Sequence, residues 1–437
     1  MRKKGRAVPE WLNSPIWSAP PPVPAPPDPY GTDLAPPPPP KPPPPSAVTS
    51  HPMPPPPPSY EQAVGVGGGR GDEEDDEGAG ALLRAHLLAD FKAALSKKVV
   101  NIGELRRLAC LGVPGGGGAG VRPVVWKLLL GYLPTDRALW HYELEKKRSQ
   151  YSAYKEEFLL NPSEKLRRIE ETKLSRRKEL NIEMIGYLPR LKVTNEEHPL
   201  SSGKSSLWNQ YFQDSEILEQ IDRDVKRTHP EISFFSTKSN QESLRRILII
   251  FSKLNPTIRY VQGMNEVLAP LFYVFKNDPD PSGSASAEAD TYFCFVELLS
   301  AFRDNYCKHL DNSSVGIRST LSKLSQLLKR HDEELWRHME VTTKVYPQYY
   351  AFRWITLLLT MEFSFNVCIH IWDAILGDPE GPPDTLMRIC CAMLILVRKR
   401  LLAGDFTANI QLLQHYPATN IDHLLHIANR LRGTLAG

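Results

Sequence analysis

Ile221-Asp222-Arg223-Asp224-Val225-Lys226-Arg227-Thr228-His229-Pro230 opens, and Tyr260-Val261-Gln262-Gly263-Met264-Asn265 closes, the stretch around which this chain is organised. The first run ends a helix, because proline has no backbone N–H and its ring pushes the preceding residue out of the helical region. Arg227 therefore falls in the last turn and near the surface, with Asp224 three residues earlier on the same face. The second run sets a carboxamide, Gln262, beside Gly263, a residue that lets a backbone pass close to another surface. On spacing alone, Arg227 reads as a surface arginine at a helix C-terminus, where a cation is favoured.

Apolar residues recur at helical spacing on both sides of this stretch. Leu83, Leu87, Leu88, Phe91 and Leu95 make one apolar face, and Asn101 with Glu104 predicts a capping box opening a helix through Leu108. Further helices are expected over 244–254, 267–275, 291–302, 317–328, 352–363, 368–376, 386–402 and 421–431, with an exposed loop over 278–285. Alternating β-branched runs are few. The expected fold class is all-α, a large multi-helix domain in two packed helical lobes. The glycines at 115–118 and the run Gly203-Lys204-Ser205 do not make a phosphate loop: no Lys-Ser or Lys-Thr follows the first, and His198 stands where the second needs glycine.

The chain has 437 residues and 40 prolines, which crowd into the amino-terminal part. Residues 1–81 lack the apolar content to offset chain entropy and are expected as a disordered proline-rich tail. The acidic run at 72–77 reads as linker, and residues 82–437 as the folded domain. Pro57-Pro58-Ser59-Tyr60 fits the Pro-Pro-x-Tyr ligand of WW domains, and the proline runs fit SH3 grooves, although proline-rich tails also produce such matches by chance. Trp11 and Trp17 lie in a strip that reads equally as a docking segment or as plain disordered chain.

A net charge of +3 points to no partner. The basic clusters at 146–148, 165–168 and 176–178 are interleaved with glutamates and read as solvated helix faces, so no nucleic-acid partner is expected. Six cysteines show no metal-type spacing and are expected as buried thiols in a reducing compartment. The most apolar window, 389–397, is too short to span a bilayer. A cytoplasmic protein with at most peripheral contact to endomembranes is expected.

The two opening runs, together with Arg122-Pro123-Val124-Val125-Trp126-Lys127-Leu128-Leu129, resemble the three signature motifs of the TBC domain of Rab GTPase-activating proteins, in that family's order. The wording of 208–212, 302–306, 352–354 and 404–407 is similar to the member-thirteen branch of the family and its plant relatives. The likeness covers the chain from about Ala85 onward and is weakest at 162–194, a charged variable excursion. The resemblance implies stimulation of GTP hydrolysis by a Rab-type small GTPase, with Arg227 as arginine finger and Gln262 as glutamine finger. Asp224, on the face of Arg227, is expected to hold the arginine or the local backbone in register, Gly263 to let the backbone pass close to the partner, and Tyr260 and Met264 to pack, while the resemblance implies that Arg122 and Trp126 serve internal packing. No cofactor of its own is expected, since GTP and Mg²⁺ belong to the partner GTPase. The alternative is a catalytically silent TBC scaffold that binds a Rab and recruits others through its tail.

Overall fold

Helices of the right period in the sequence become helices in space, and their burial follows their apolar faces. The computed structural model describes residues 72–115, 120–159, 207–311 and 313–432, with side chains from 82 and, in the third segment, from 215. The expectations for residues 1–71 of the proline-rich tail, the Trp11 and Trp17 strip, the WW and SH3 ligands, the 162–194 excursion and the Gly203-Lys204-Ser205 run lie outside the described residues, whereas residues 72–81, also expected as disordered, are helical. The longer helices are α1 (Asp72–Ser96), α2 (Ile102–Ala109), α3 (Val121–Leu129), α4 (Trp140–Phe158), α5 (Leu207–Arg227) and α6 (Lys238–Leu254). They continue with α7 (Met264–Lys276), α8 (Ala287–Ala301), α9 (Ile317–His331), α10 (Phe365–Gly377), α11 (Pro382–Leu396), α12 (Phe406–Gln414) and α13 (Ile421–Arg430). No strand forms among the described residues; Val99 and Asp136 make an isolated bridge. The fold is all-α.

Helix α10 packs between early and late helices of the chain. Its sequence is apolar nearly all round, which suits a helix with neighbours on every side. It packs on α2 and α3 in one direction and on α11 and α13 in the other. Gly377 at its end lets α2 come close, since a Cβ there would lie 2.8 Å from Ala109 Cβ and 3.1 Å from Arg106 O. One continuous hydrophobic core runs from Phe91 on α1 to Leu431 after α13.

Several expectations are corrected. The acidic run at 72–77 is the start of α1, not linker, and acidic residues in first turns suit the helix dipole. Residues 278–285 contain a short helix, Pro281–Ala285, whose Asp280 cap accepts from the backbone N–H groups of Ser282 and Gly283. Only the forward half of the capping box at Asn101 forms, because the Glu104 carboxylate accepts from Lys97 Nζ at 2.6 Å. Arg148 is not a solvated residue: it turns inward to the fully buried Asp290, which also accepts from Lys127 and Tyr132. The helix expected over 386–402 breaks at Val397, where Arg398 turns to Asp332 at 2.6 Å.

The helix expected over 352–363 stops early, as Ala351–Thr356. Leu358 and Leu359 then take φ +49 and +65. Local propensity favours continuation here, and tertiary bonds override it. Tyr306 donates to Thr356 O at 2.6 Å and the Trp372 indole donates to Leu358 O at 3.1 Å.

Candidate functional site

Helix α5 ends on Arg227. Thr228 closes the turn by donating its hydroxyl to Asp224 O at 3.0 Å, and His229, kept from the right-handed region by Pro230, takes φ +39. Its ring rests on Phe365 at 4.8 Å and Phe235 at 5.4 Å. The Arg227 side chain stands out from this end with 64% of its surface exposed, while Asp224 beneath it is 3% exposed.

The second run is reached through a turn after α6. Asn255 caps that helix with its side chain on Phe251 O, and Ile258 and Arg259 both donate back to Asn255 O. Arg259 takes φ +59 in the process. Tyr260 then points its hydroxyl at Asp224, Gln262 is exposed, and Gly263, at φ +96, begins α7.

Asp224 is where the two runs meet. Its Oδ1 accepts from Arg227 at 2.5 Å and its Oδ2 from Tyr260 at 2.7 Å, while Gln220 reaches both oxygens at 2.9 and 3.0 Å. Burial, followed by the negative charge of Asp224, pushes the Tyr260 phenol far above its ordinary range, so it remains a donor. One guanidinium nitrogen of Arg227 is thus committed and the rest of the fork faces solvent.

A second layer lies behind these contacts. Asn265 donates to Asp224 O at 3.3 Å, Thr228 Oγ1 at 2.9 Å and Glu266 Oε1 at 2.8 Å. His229 Nε2 lies 3.3 Å from Glu266 Oε2, close enough for an ion pair when the imidazole is protonated but outside hydrogen-bond geometry. Burial pushes the Glu266 carboxyl up to about 7, with the charge of Asp224 adding to it and the Asn265 bond opposing it. Nothing in the sequence spacing singled out Gln220, Thr228, His229 or Glu266. Asn265 stood in the quoted run without a role.

Arg122 and Trp126 are brought together elsewhere, on the fully buried Asp373 of α10. Arg122 gives Nε and a terminal nitrogen to that carboxylate at 3.0–3.3 Å and also bonds Val113 O, while Trp126 Nε1 donates to Asp373 Oδ1 at 2.8 Å. Trp126 is fully buried against Trp372 at 5.9 Å. Both residues are core architecture. No helix among the described residues is long and apolar enough to cross a membrane.

A family model described as the Rab-GTPase-TBC domain matches residues 183–402. TBC1 domain family member 13 of Homo sapiens is 35% identical over 410 residues, which cover 79% of this chain and 97% of that protein. The GTPase-activating protein gyp1 of Schizosaccharomyces pombe is 28% identical, over 76% of this chain and 57% of that protein. Among solved structures, the Ypt/Rab-GAP domain of Gyp1p is similar with a TM-score of 0.60 and 26% identity, over 80% of this chain and 97% of that one.

Proposed function

The chain belongs to the Rab-GTPase-TBC domain family, and on that premise we propose that it stimulates GTP hydrolysis by a Rab-type small GTPase, with Arg227 as arginine finger and Gln262 as glutamine finger. The observation that carries this reading is the single buried carboxylate of Asp224, which ties the exposed Arg227 to the Tyr260–Gly263 segment.

Negative charge spreads over the γ-phosphate as the bond to the leaving β-phosphate breaks. A guanidinium suits that charge because it stays protonated and offers a planar fork of donors, and an arginine supplied in trans is worth about 10³ to 10⁵ in rate. Arg227 has the properties required: it is exposed, and its anchor to Asp224 uses only part of the fork. A carboxamide can accept from the attacking water and donate to an oxygen, which is the role we assign to Gln262. GTP and Mg²⁺ come with the partner, and no cofactor of the chain's own enters the mechanism. We take the functional domain as 82–437, Pro57-Pro58-Ser59-Tyr60 as a WW ligand and the proline runs as SH3 ligands, and the chain as cytoplasmic with peripheral contact to endomembranes.

Single-turnover GTP hydrolysis by a panel of Rab proteins tests the reading. Acceleration of at least one Rab, lost by about a hundredfold or more in Arg227→Ala and in Gln262→Ala, is expected. Binding without acceleration of any Rab would sink the proposal and leave a GTPase-binding scaffold.

A further inference from the structure

We infer that Leu357 is a positioning residue for Gln262, held against the bare backbone of Gly263 at the end of the helix Ala351–Thr356. The inference rests on the reading of Gln262 as glutamine finger. Gln262 is exposed and makes no hydrogen bond among the described residues. Its direction is therefore set by the backbone on either side. On one side stands Tyr260, fixed to Asp224. On the other stands Gly263, where a Cβ would collide with Leu357 Cδ2 and lie 3.7 and 3.8 Å from its Cγ and Cδ1. Leu357 comes from a segment far along the chain and fills the space that a side chain at 263 would need.

The way Leu357 is presented supports a dedicated role. Leu357 closes the helix Ala351–Thr356, its N–H donating to Arg353 O at 3.0 Å, and the helix does not continue past it. Instead Leu358 and Leu359 adopt φ +49 and +65, a conformation that bulky L-residues avoid and that persists only when the surroundings over-determine it. The determinants are on hand. Tyr306 and Trp372 hold the carbonyls of Thr356 and Leu358, Leu359 N donates to Trp354 O at 3.0 Å, and Thr360 Oγ1 donates to Leu357 O at 2.8 Å. A backbone bonded on both sides of one leucine, whose methyl group lies against the glycine after the exposed glutamine, is what a rigid seat for Gln262 requires.

Two measurements on the full chain test this. In amide hydrogen exchange, Leu357→Ala is expected to speed exchange at Met264, Glu266 and Val267, which donate to Val261 O and Gly263 O, by at least about tenfold. Amides of α3 and α10 should keep their rates, and Leu357→Met should behave as the unaltered protein. Should Leu357→Ala fail to fold, Leu357→Val, which shortens the side chain by one carbon, carries the same comparison. Unchanged exchange at the start of α7 overturns the inference, whatever the protein's activity.

The second measurement uses the Rab that is accelerated. Leu357→Ala should lower kcat about tenfold with KM unchanged, and should lower nothing further in a Gln262→Ala background. An equal drop in that background overturns the positioning role while leaving the GTPase-activating reading intact. Absence of acceleration by the unaltered chain sinks the latter, and the exchange result still decides the former.

Discussion

Arg122 and Arg227 are both bonded to buried aspartates, and they are put to opposite uses. Arg122 commits Nε and a terminal nitrogen to Asp373 and Val113 O, keeps 19% of its side chain exposed, and locks α3 to α10. Arg227 gives one nitrogen to Asp224 and leaves 64% of its side chain in solvent. The chemistry of the pair is the same; the position of the arginine on its helix differs. Arg122 lies in the first turn of a helix packed on both sides, whereas Arg227 is the last residue of a helix whose chain then turns away. A buried carboxylate can thus consume an arginine or present one, depending on how many of the guanidinium donors the core can reach.

The largest expected effect divides the two. Arg227→Ala should remove about a hundredfold or more of the stimulated rate while costing only about 1–2 kcal/mol of stability, because Tyr260 and Gln220 still hold Asp224. A large loss of stability in this variant would place Arg227 with Arg122 as a structural residue. The converse substitution, Arg122→Ala, leaves Asp373 buried with Trp126 and Val113 N as its remaining donors, and should cost about 3–5 kcal/mol. Stimulation per folded molecule should survive it, as measured on protein well below its unfolding midpoint.

Glu266 sharpens the contrast, being a buried carboxyl in the site with no arginine of its own. Burial holds its folded-state pKa at about 7, above its ordinary 4.5. Between those values the folded protein binds more protons than the unfolded chain, so this group's contribution to stability is full below pH 4.5 and is lost as pH rises through 7. The loss amounts to at most about 3 kcal/mol. Urea titrations of Glu266→Gln and of the unaltered chain at about pH 5 and about pH 7.5 should show a flatter pH dependence in the variant; parallel curves would mean that Glu266 ionises freely. The smallest effect is expected from Tyr260→Phe, which removes one of the donors to Asp224. It should cost about 1–2 kcal/mol and reduce stimulation by less than about tenfold, because Gln220 and Arg227 still hold the carboxylate.

Much of this could be read from the chain. Pro230 and the helical spacing before it put Arg227 at a helix end, and the apolar periods gave α6 to α10 with boundaries shifted by a few residues. Arg122 and Trp126, which the resemblance assigns to packing, both donate to the buried Asp373 of α10. Arg148, by contrast, looked like one more solvated charge among its neighbours, because nothing near it in sequence announces a buried aspartate at 290. The helix expected over 352–363 failed for the same reason: its apolar residues favour continuation locally, and only Tyr306 and Trp372 explain why it stops.

By itself the sequence determined most of the long helices, where α5 must end, and which residue types stand at that end, since these depend on propensities and periods spanning a few residues. Tertiary structure decided that Asp224 meets Tyr260, that Asp290 gathers Lys127, Tyr132 and Arg148, and that Leu357 seats on Gly263. Those contacts join residues tens to more than a hundred positions apart, and a buried polar group or a missing Cβ finds its partner only when the packed core has fixed the distance between them.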